Sequence, residues 1–268
     1  MPELPEVETV ARELRELIIG KTIKNIHTYW YKSFNNQSSI PISGQVIEKI
    51  GRKGKYLSIQ LTQSALIIHL RMTGQLLYNY KPDSDENHIR VKIIFTDNTT
   101  LLFIDTRKFG RIYHVNTADD ILYKIGMDAI DPEMDDKLFK VLLKKSKLNI
   151  KSFLLAQDKI AGVGNIYADE SLFRAGIHPA SITDKIPDRK IKILHEHILS
   201  ILHTAIKNMG STISDYRDSY GNSGNNQKFF RVYQRTGESC VNCSTPISKL
   251  KIAGRGTHFC PKCQKIYN

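Results

Sequence analysis

The chain has 268 residues, 41% hydrophobic and 25% charged, so it can bury a substantial core in one large domain or, more naturally, two. Its 39 Lys and Arg against 27 Asp and Glu leave a net charge of +12, which points to a polyanionic partner, nucleic acid foremost. No secretory signal is read in the acidic N-terminus, and no apolar run, "ALIIHL" being among the longest, approaches a bilayer span. A soluble cytoplasmic protein without a membrane partner is expected.

The opening "MPELPEVETV" predicts a helix from Pro5 to a stop at Gly20. Pro5 suits the first helical position, and Glu6 and Glu8 suit the positive end of the helix dipole. Val7, Val10, Leu14, Leu17 and Ile18 follow helical spacing. This reading gives Pro2 no purpose and leaves Glu3 as a surplus charge. Residues 21 to about 115 read as β-rich, with β-branched and aromatic runs separated by turn signals, "TDNTT" among them. Several short strands behind one helix predict a sandwich or a partly closed barrel. "IGMDAIDPEMDD" reads as an interdomain linker. Beyond it "KLFKVLLKK", "IKSFLLAQ", "IYADESLFRAG" and "DRKIKILHEHILSILHTAIKNMG" read as helices. The last has Asp188 as N-cap, an apolar stripe from Ile191 to Met209, and Gly210 as its stop. His195, His197 and His203 are expected to be solvated or boundary residues. "SYGNSGNNQ" is expected to be a mobile loop.

The tail "CVNCSTPISKLKIAGRGTHFCPKC" places Cys240 and Cys243 two residues apart, and Cys260 and Cys263 likewise, on either side of a hairpin-length insert. Such spacing assembles four thiolates around one tetrahedral Zn2+, in preference to two disulfides in a reducing compartment. With four protein ligands the zinc is structural, and the insert reads as two strands joined by a Gly-rich turn. Arg255 within "AGRGTH" is either an ordinary exposed turn residue or a phosphate contact. "AGVGNIYADE" sets a Gly-containing turn before a helix, where backbone N–H groups bind phosphate; Asn165 could add a bond or simply cap the helix. "GRKGKYL", "HLRMTG" and "DTRKFG" bring basic, Met and aromatic side chains to turns. Alone, each is more often surface or core; together, Met, Arg and Phe could fill the space left by an extruded base.

These blocks, together with "PELPEVET", "GVGNIYADESLFRAGIHP" and "AGRGTHFCPKCQ", resemble the formamidopyrimidine-DNA glycosylases, the bacterial 8-oxoguanine repair enzymes, in order and over nearly the whole chain. The resemblance implies an α+β fold. An N-terminal β-sandwich with a leading helix is followed by a helical helix–two-turn–helix domain and a β-hairpin zinc finger, with duplex DNA in the cleft. The corresponding divisions are 1–128 (catalytic), 129–134 (linker), 135–228 (helical, with the mobile loop) and 229–268 (zinc finger). It also gives Pro2 a purpose: once Met1 is removed, its secondary amine is the nucleophile, and Glu3 is the acid–base residue. Lys55, counted with the catalytic residues, matches a phosphate-contacting lysine near the lesion. Met72, Arg107 and Phe109 match residues that fill the gap left by the flipped base, and Asn165 and Arg255 match phosphate contacts. His69 and Lys159 are added as candidate DNA contacts. Cys240, Cys243, Cys260 and Cys263 match the zinc ligands, and Glu6 matches a position near the site.

The activity implied is that of a monomeric bifunctional glycosylase and abasic-site lyase acting on double-stranded DNA with oxidised purines or abasic sites. Two alternatives stand beside it: an endonuclease VIII-like enzyme for oxidised pyrimidines, and a non-catalytic zinc-containing DNA-binding protein. Leu4 and "RKF" favour the purine-directed branch. One departure is Gln234 in "RVYQRTG", where the family usually has glycine, so a local difference in that turn is expected.

Overall fold

The computed structural model describes residues 2–81 and 88–268; Met1, whose removal the resemblance implies, lies outside the described residues. The chain divides into two compact units, Met1–Lys124 with Ile206–Gln227, and Ile125–Ala205 with Lys228–Asn268.

The first unit opens with α1 (Leu4–Ile18) and continues through β1 (Ile23–Thr28), β2 (Phe34–Asn36), β3 (Ile47–Lys53), β4 (Tyr56–Leu61) and β5 (Ala65–His69). It then runs through β6 (Gln75–Tyr78), β7 (Ile89–Phe95), β8 (Thr100–Ile104), β9 (Arg111–Val115) and the short α2 (Asp119–Leu122). The strands form two sheets, ordered β1-β7-β8-β6 and β2-β9-β5-β4-β3, the sandwich the sequence leads one to expect. Strand β4 shows why: its residues alternate between half-buried and buried, so Leu57, Ile59 and Leu61 all face inward. One core gathers these side chains with Leu76, Val91, Phe95 and Phe103 from the other sheet, and with Val7, Val10, Ala11, Leu14 and Ile18 of α1. The stretch "TDNTT" turns β7 into β8, with Asn98 at φ 64°.

At the head of α1 the structure differs from the sequence reading. Glu3 is not a surplus charge; it is the N-cap. Its side chain accepts from the Glu6 backbone, and Glu6 Oε2 accepts the Glu3 N–H at 2.7 Å, a capping box built from two glutamates.

The second unit contains β10 (Met127–Asp128), α3 (Asp136–Lys144), α4 (Ile150–Leu155), β11 (Ile160–Ala161), α5 (Asn165–Ala175), most of α6 (Asp188–Lys207), β12 (Ser248–Ile252) and β13 (Arg255–Phe259). β10 pairs in parallel with β11, and Ala129 and Met134, from the stretch read as a linker, are buried. α5 stops at Gly176, whose φ of 67° suits a left-handed C-cap. The stripe of α6 is buried from Ile191 to Ala205, but three details of that helix need correction. Asp188 is its first residue rather than its cap, and its carboxylate meets Lys140 Nζ at 2.8 Å. Met209 lies beyond the helix and is 40% exposed. His195 is neither solvated nor at a boundary: it is buried, stacked on Phe139, with Nδ1 2.6 Å from Asp136 Oδ1. β12 and β13 form the finger hairpin, turning at Ala253 and Gly254, both with positive φ, the type I′ signature. Gln234 holds φ 61°, so the turn keeps the left-handed conformation that glycine adopts freely, without the glycine. No helix among the described residues is long and apolar enough to cross a membrane.

Candidate functional site

In the first unit, three connections gather at one rim of the sandwich. The β3–β4 turn carries Lys55; the β5–β6 connection, residues 70–74, carries Met72; the β8–β9 connection, residues 105–110, carries Arg107 and Phe109. Register brings them together, because His69 pairs with Tyr56 on one side and with Arg111 on the other. A buried carboxylate, Asp105, then fastens the last two connections. It accepts the Thr73 hydroxyl, the Arg107 N–H at 3.2 Å and the Gly110 N–H at 2.7 Å. A side chain at Gly110 would collide with Phe103, 2.4 Å from where its Cβ would lie, so only glycine fits there. Phe109 is left 48% exposed, with the Arg107 guanidinium 5.0 Å from its ring centroid.

The start of α1 belongs to the same rim. Arg15 Nε donates to Ile50 O at 2.9 Å, and about two turns toward the N-terminus Glu8 pairs with Arg52 at 2.9 Å. Moving back along the helix therefore means moving along β3 toward Gly54 and Lys55, and Pro2 and Glu3 come next. Burial raises the affinity of Glu8 for a proton, but Arg52 and Arg12 outweigh it and hold the carboxyl below its ordinary range. Pro2, Glu3 and Lys55 are all buried. His69, 7% exposed, accepts the Arg71 N–H at its Nδ1, which leaves the proton on Nε2. Burial, reinforced by Arg71 and Lys55, pushes its pKa down to about 3, so the ring is neutral.

The segment 206–227 is bonded to α1. Ser211 N–H donates to Glu6 Oε1 at 2.7 Å, and the Tyr216 hydroxyl lies 3.2 Å from Met209 O. The stretch expected to be mobile, 219–227, makes hydrogen bonds to Asp218 and to Glu13 of α1. Asp218 Oδ1 accepts from Tyr220 and Asn222 N–H, and Ser219 N–H reaches Glu13 Oε2 at 2.7 Å.

In the second unit, Gly164 is the cap of α5 and Asn165 its first residue. Asn165 Nδ2 donates to Gly256 O at 3.1 Å, so Asn165 and the exposed Arg255 stand side by side. Asp169, fully buried, is the anchor behind them. It pairs with Lys151 and accepts the His258 N–H at 2.9 Å, tying helix to hairpin. Glu170 receives three consecutive backbone N–H groups from Arg231, Val232 and Tyr233 at 2.9 to 3.0 Å. Lys159 is exposed and pairs only loosely with Asp158, at 3.3 Å. The sequence reading missed Asp105, Asp169 and Glu170 as organising residues. Glu6, read there at the start of the helix and by resemblance near the site, also carries a local signal, its three-residue spacing from Glu3.

The four cysteine sulfurs lie within 4.8 Å of one another, with Cys240–Cys263 at 3.9 Å and Cys243–Cys260 at 3.5 Å. A tetrahedron of Zn–S bonds of about 2.3 Å spaces its sulfurs by about 3.8 Å, so the cluster fits zinc. Three family models match the chain: the formamidopyrimidine-DNA glycosylase N-terminal domain over residues 1–112, that family's H2TH domain over 125–217, and the zinc finger found in FPG and IleRS over 237–266. The chain belongs to the formamidopyrimidine-DNA glycosylase family. It is 42% identical over 274 residues to the formamidopyrimidine-DNA glycosylase of Streptococcus pneumoniae R6, covering 99% of each. It is 39% identical to that of Bacillus subtilis, covering 98% of this chain and 99% of the relative. Among solved structures it is similar to Lactococcus lactis Fpg in complex with abasic-site DNA (TM-score 0.88, 38% identity, 98% of this chain, 100% of that one). It is also similar to MutM in complex with DNA containing carbocyclic 8-oxo-G (TM-score 0.90, 39% identity, the same coverage). The formamidopyrimidine-DNA glycosylase finger carries one structural zinc on Cys240, Cys243, Cys260 and Cys263.

Proposed function

We propose that this chain is a base-excision-repair DNA glycosylase that removes oxidised purines from duplex DNA and then cleaves the strand through the amine of Pro2. The observation that carries the reading is the convergence of Pro2, Glu3, Lys55, Met72, Arg107 and Phe109 on one rim of a full-length family fold. A free α-amino group has a pKa of about 7.7–8.0, so a useful neutral fraction exists near neutral pH without a buried lysine. The Pro2 nitrogen attacks C1′ of the damaged nucleotide; the N–C1′ bond forms as the bond to the base breaks, and the base leaves with the amine proton, giving an aminal. Glu3, one residue away, protonates O4′ as the C1′–O4′ bond breaks, so the sugar ring opens to the iminium. The iminium acidifies C2′, and loss of that proton expels the 3′ oxygen by β-elimination, followed by δ-elimination on the 5′ side.

Lys55 and His69 contact the strand beside the lesion, the latter through the Nε2–H that its neutral tautomer offers. Met72, Arg107 and Phe109 occupy the gap left by the extruded base. Asn165, Arg255 and Lys159 contact phosphates. The zinc, its four positions filled by thiolates, supplies folding energy to the finger and no chemistry to the reaction. We further propose a monomer that works on chromosomal DNA in the cytoplasm, without a membrane partner.

The test is a comparison of excision from duplexes carrying 8-oxoguanine opposite cytosine with excision from duplexes carrying thymine glycol. Preferential release of 8-oxoguanine is expected. A strong preference for thymine glycol would move the chain to the pyrimidine-directed branch, and binding without excision of either would make it a non-catalytic DNA-binding protein.

A further inference from the structure

Residues 105–110 contain a feature that gap filling by Arg107 and Phe109 does not use. Between those two side chains Lys108 adopts φ 61°, a left-handed conformation that L-residues with a Cβ avoid. The residue is exposed, yet its ammonium lies over the face of Trp30, 4.5 Å from the ring centroid. The buried Trp30 Nε1 has no hydrogen-bond partner among the described residues, so the indole is not held there by a hydrogen bond. The turn is also gripped from below, where Arg111 Nη1 donates to Lys108 O at 2.9 Å and Gly110 O at 2.7 Å. Trp30 is joined to the same loop through the backbone. Its N–H donates to Arg90 O at 3.3 Å, and Arg90 Nε donates to Asp105 O at 2.7 Å. Two cation–aromatic pairs thus alternate along three residues, Arg107 on Phe109 and Lys108 on Trp30. A strained residue held by this many independent contacts is the signature of a preorganised functional loop.

We propose that Trp30 is a positioning residue: by holding the Lys108 ammonium against its face, it fixes the left-handed turn that presents Arg107 and Phe109 ready to enter the duplex. Lys108 therefore serves the loop and not a phosphate. The inference rests on the glycosylase reading for the role of Arg107 and Phe109, but the contact itself stands apart from the chemistry.

Trp30 is the only tryptophan of the chain, which gives the contact a direct optical signal. The variants are Trp30→Leu, Trp30→Phe, Lys108→Met, Lys108→Arg and the Leu/Met double variant, all checked for thermal unfolding. Their affinity is measured for a duplex containing a stable abasic analogue across a range of salt concentrations, together with tryptophan emission of the free proteins. Trp30→Leu and Lys108→Met should each weaken binding by about two- to fivefold, the range of an exposed cation–π pair. The double variant should be no weaker than either single one, because both remove one interaction. Trp30→Phe and Lys108→Arg should bind nearly as wild type, and Lys108→Met should shift the emission. The salt slope should stay unchanged throughout. A slope reduced by about one in Lys108→Met, with Trp30→Leu unaffected, would show Lys108 on a phosphate and overturn the proposal. So would additive losses in the double variant, or unchanged affinity in both single variants. Wild-type protein that binds but excises no base would refute the glycosylase reading alone, since the affinity series does not depend on catalysis.

Discussion

The Glu6 carboxylate joins two stretches of chain 205 residues apart, accepting the Ser211 N–H at 2.7 Å on Oε1 and the Glu3 N–H at 2.7 Å on Oε2. Both oxygens are committed, and the side chain is 1% exposed. One residue thus sets the direction of Glu3, and with it Pro2, while seating the segment that leads to residues 218–227. Glu6→Gln turns an NH2 group toward one of two N–H donors and should cost about 1–3 kcal/mol, the usual price of a buried unsatisfied donor. Urea unfolding measures that loss, and single-turnover excision should fall with it.

Gly210 tests the same junction from the other side. It has φ 74°, and an added Cβ would lie 2.8 Å from Glu6 Cγ. Gly20 also has positive φ, 82°, but open space around it. Gly20→Ala should therefore lose only the backbone contribution, on the order of 1 kcal/mol. Gly210→Ala should lose clearly more, and equal losses in thermal melts would mean that the Glu6 contact is soft.

Gln234 carries a left-handed backbone that costs a residue with a Cβ about 1 kcal/mol. Gln234→Gly should raise the urea midpoint by a corresponding amount without changing the slope of the transition. A lowered midpoint would show that the glutamine side chain contributes more than the strain costs.

Zinc removal should act through the second unit. With the thiolates released, the hairpin loses its anchor, and the Asn165–Gly256 and His258–Asp169 bonds lose their geometry. Chelation should abolish DNA binding while leaving the emission of Trp30, in the first unit, unchanged. Metal-free protein with undiminished affinity would remove the finger from the interface.

The pH dependence of stability follows from His69. Its folded pKa, about 3, lies below the ordinary value of 6.5, so between these values the unfolded chain binds more protons than the folded one. Stability contributed by the neutral ring is complete above about pH 6.5 and is lost as pH falls toward 3. Glu8, held low by Arg52 and Arg12, adds a loss of the same sign at lower pH. Denaturant titrations between pH 5 and 7 should show a shallower fall in His69→Gln than in wild type; identical slopes would mean that His69 protonates freely in the folded protein.

What could be read from the sequence was what depends on neighbours in the chain. The apolar spacing of α1, the alternation in β4 and the paired cysteines are local patterns, and each produced its element. The residues that organise the site act on partners far away. Asp105 serves backbone donors of its own loop but also Thr73, Glu170 serves N–H groups at 231–233, and Glu6 serves Ser211. Nothing in the immediate sequence of Asp105 or Glu170 separates them from solvated carboxylates, and Glu6 is marked only by its interval from Glu3. His195 was misread for the same reason, because its partner Asp136 lies on another helix. Glu3 lay within reach of local reasoning, since Glu6 follows at the capping-box interval, but a glutamate at the cap position is an uncommon form of that signal.

In the proposed mechanism the Pro2 amine forms the covalent link to the sugar. The most direct test incubates the purified protein, shown by intact mass to lack Met1, with duplex DNA carrying 8-oxoguanine opposite cytosine in the presence of borohydride. Proteolysis and mass analysis of the product should place the adduct on the peptide beginning at Pro2. An adduct on any lysine, or none at all from protein that still releases the base, would contradict the mechanism.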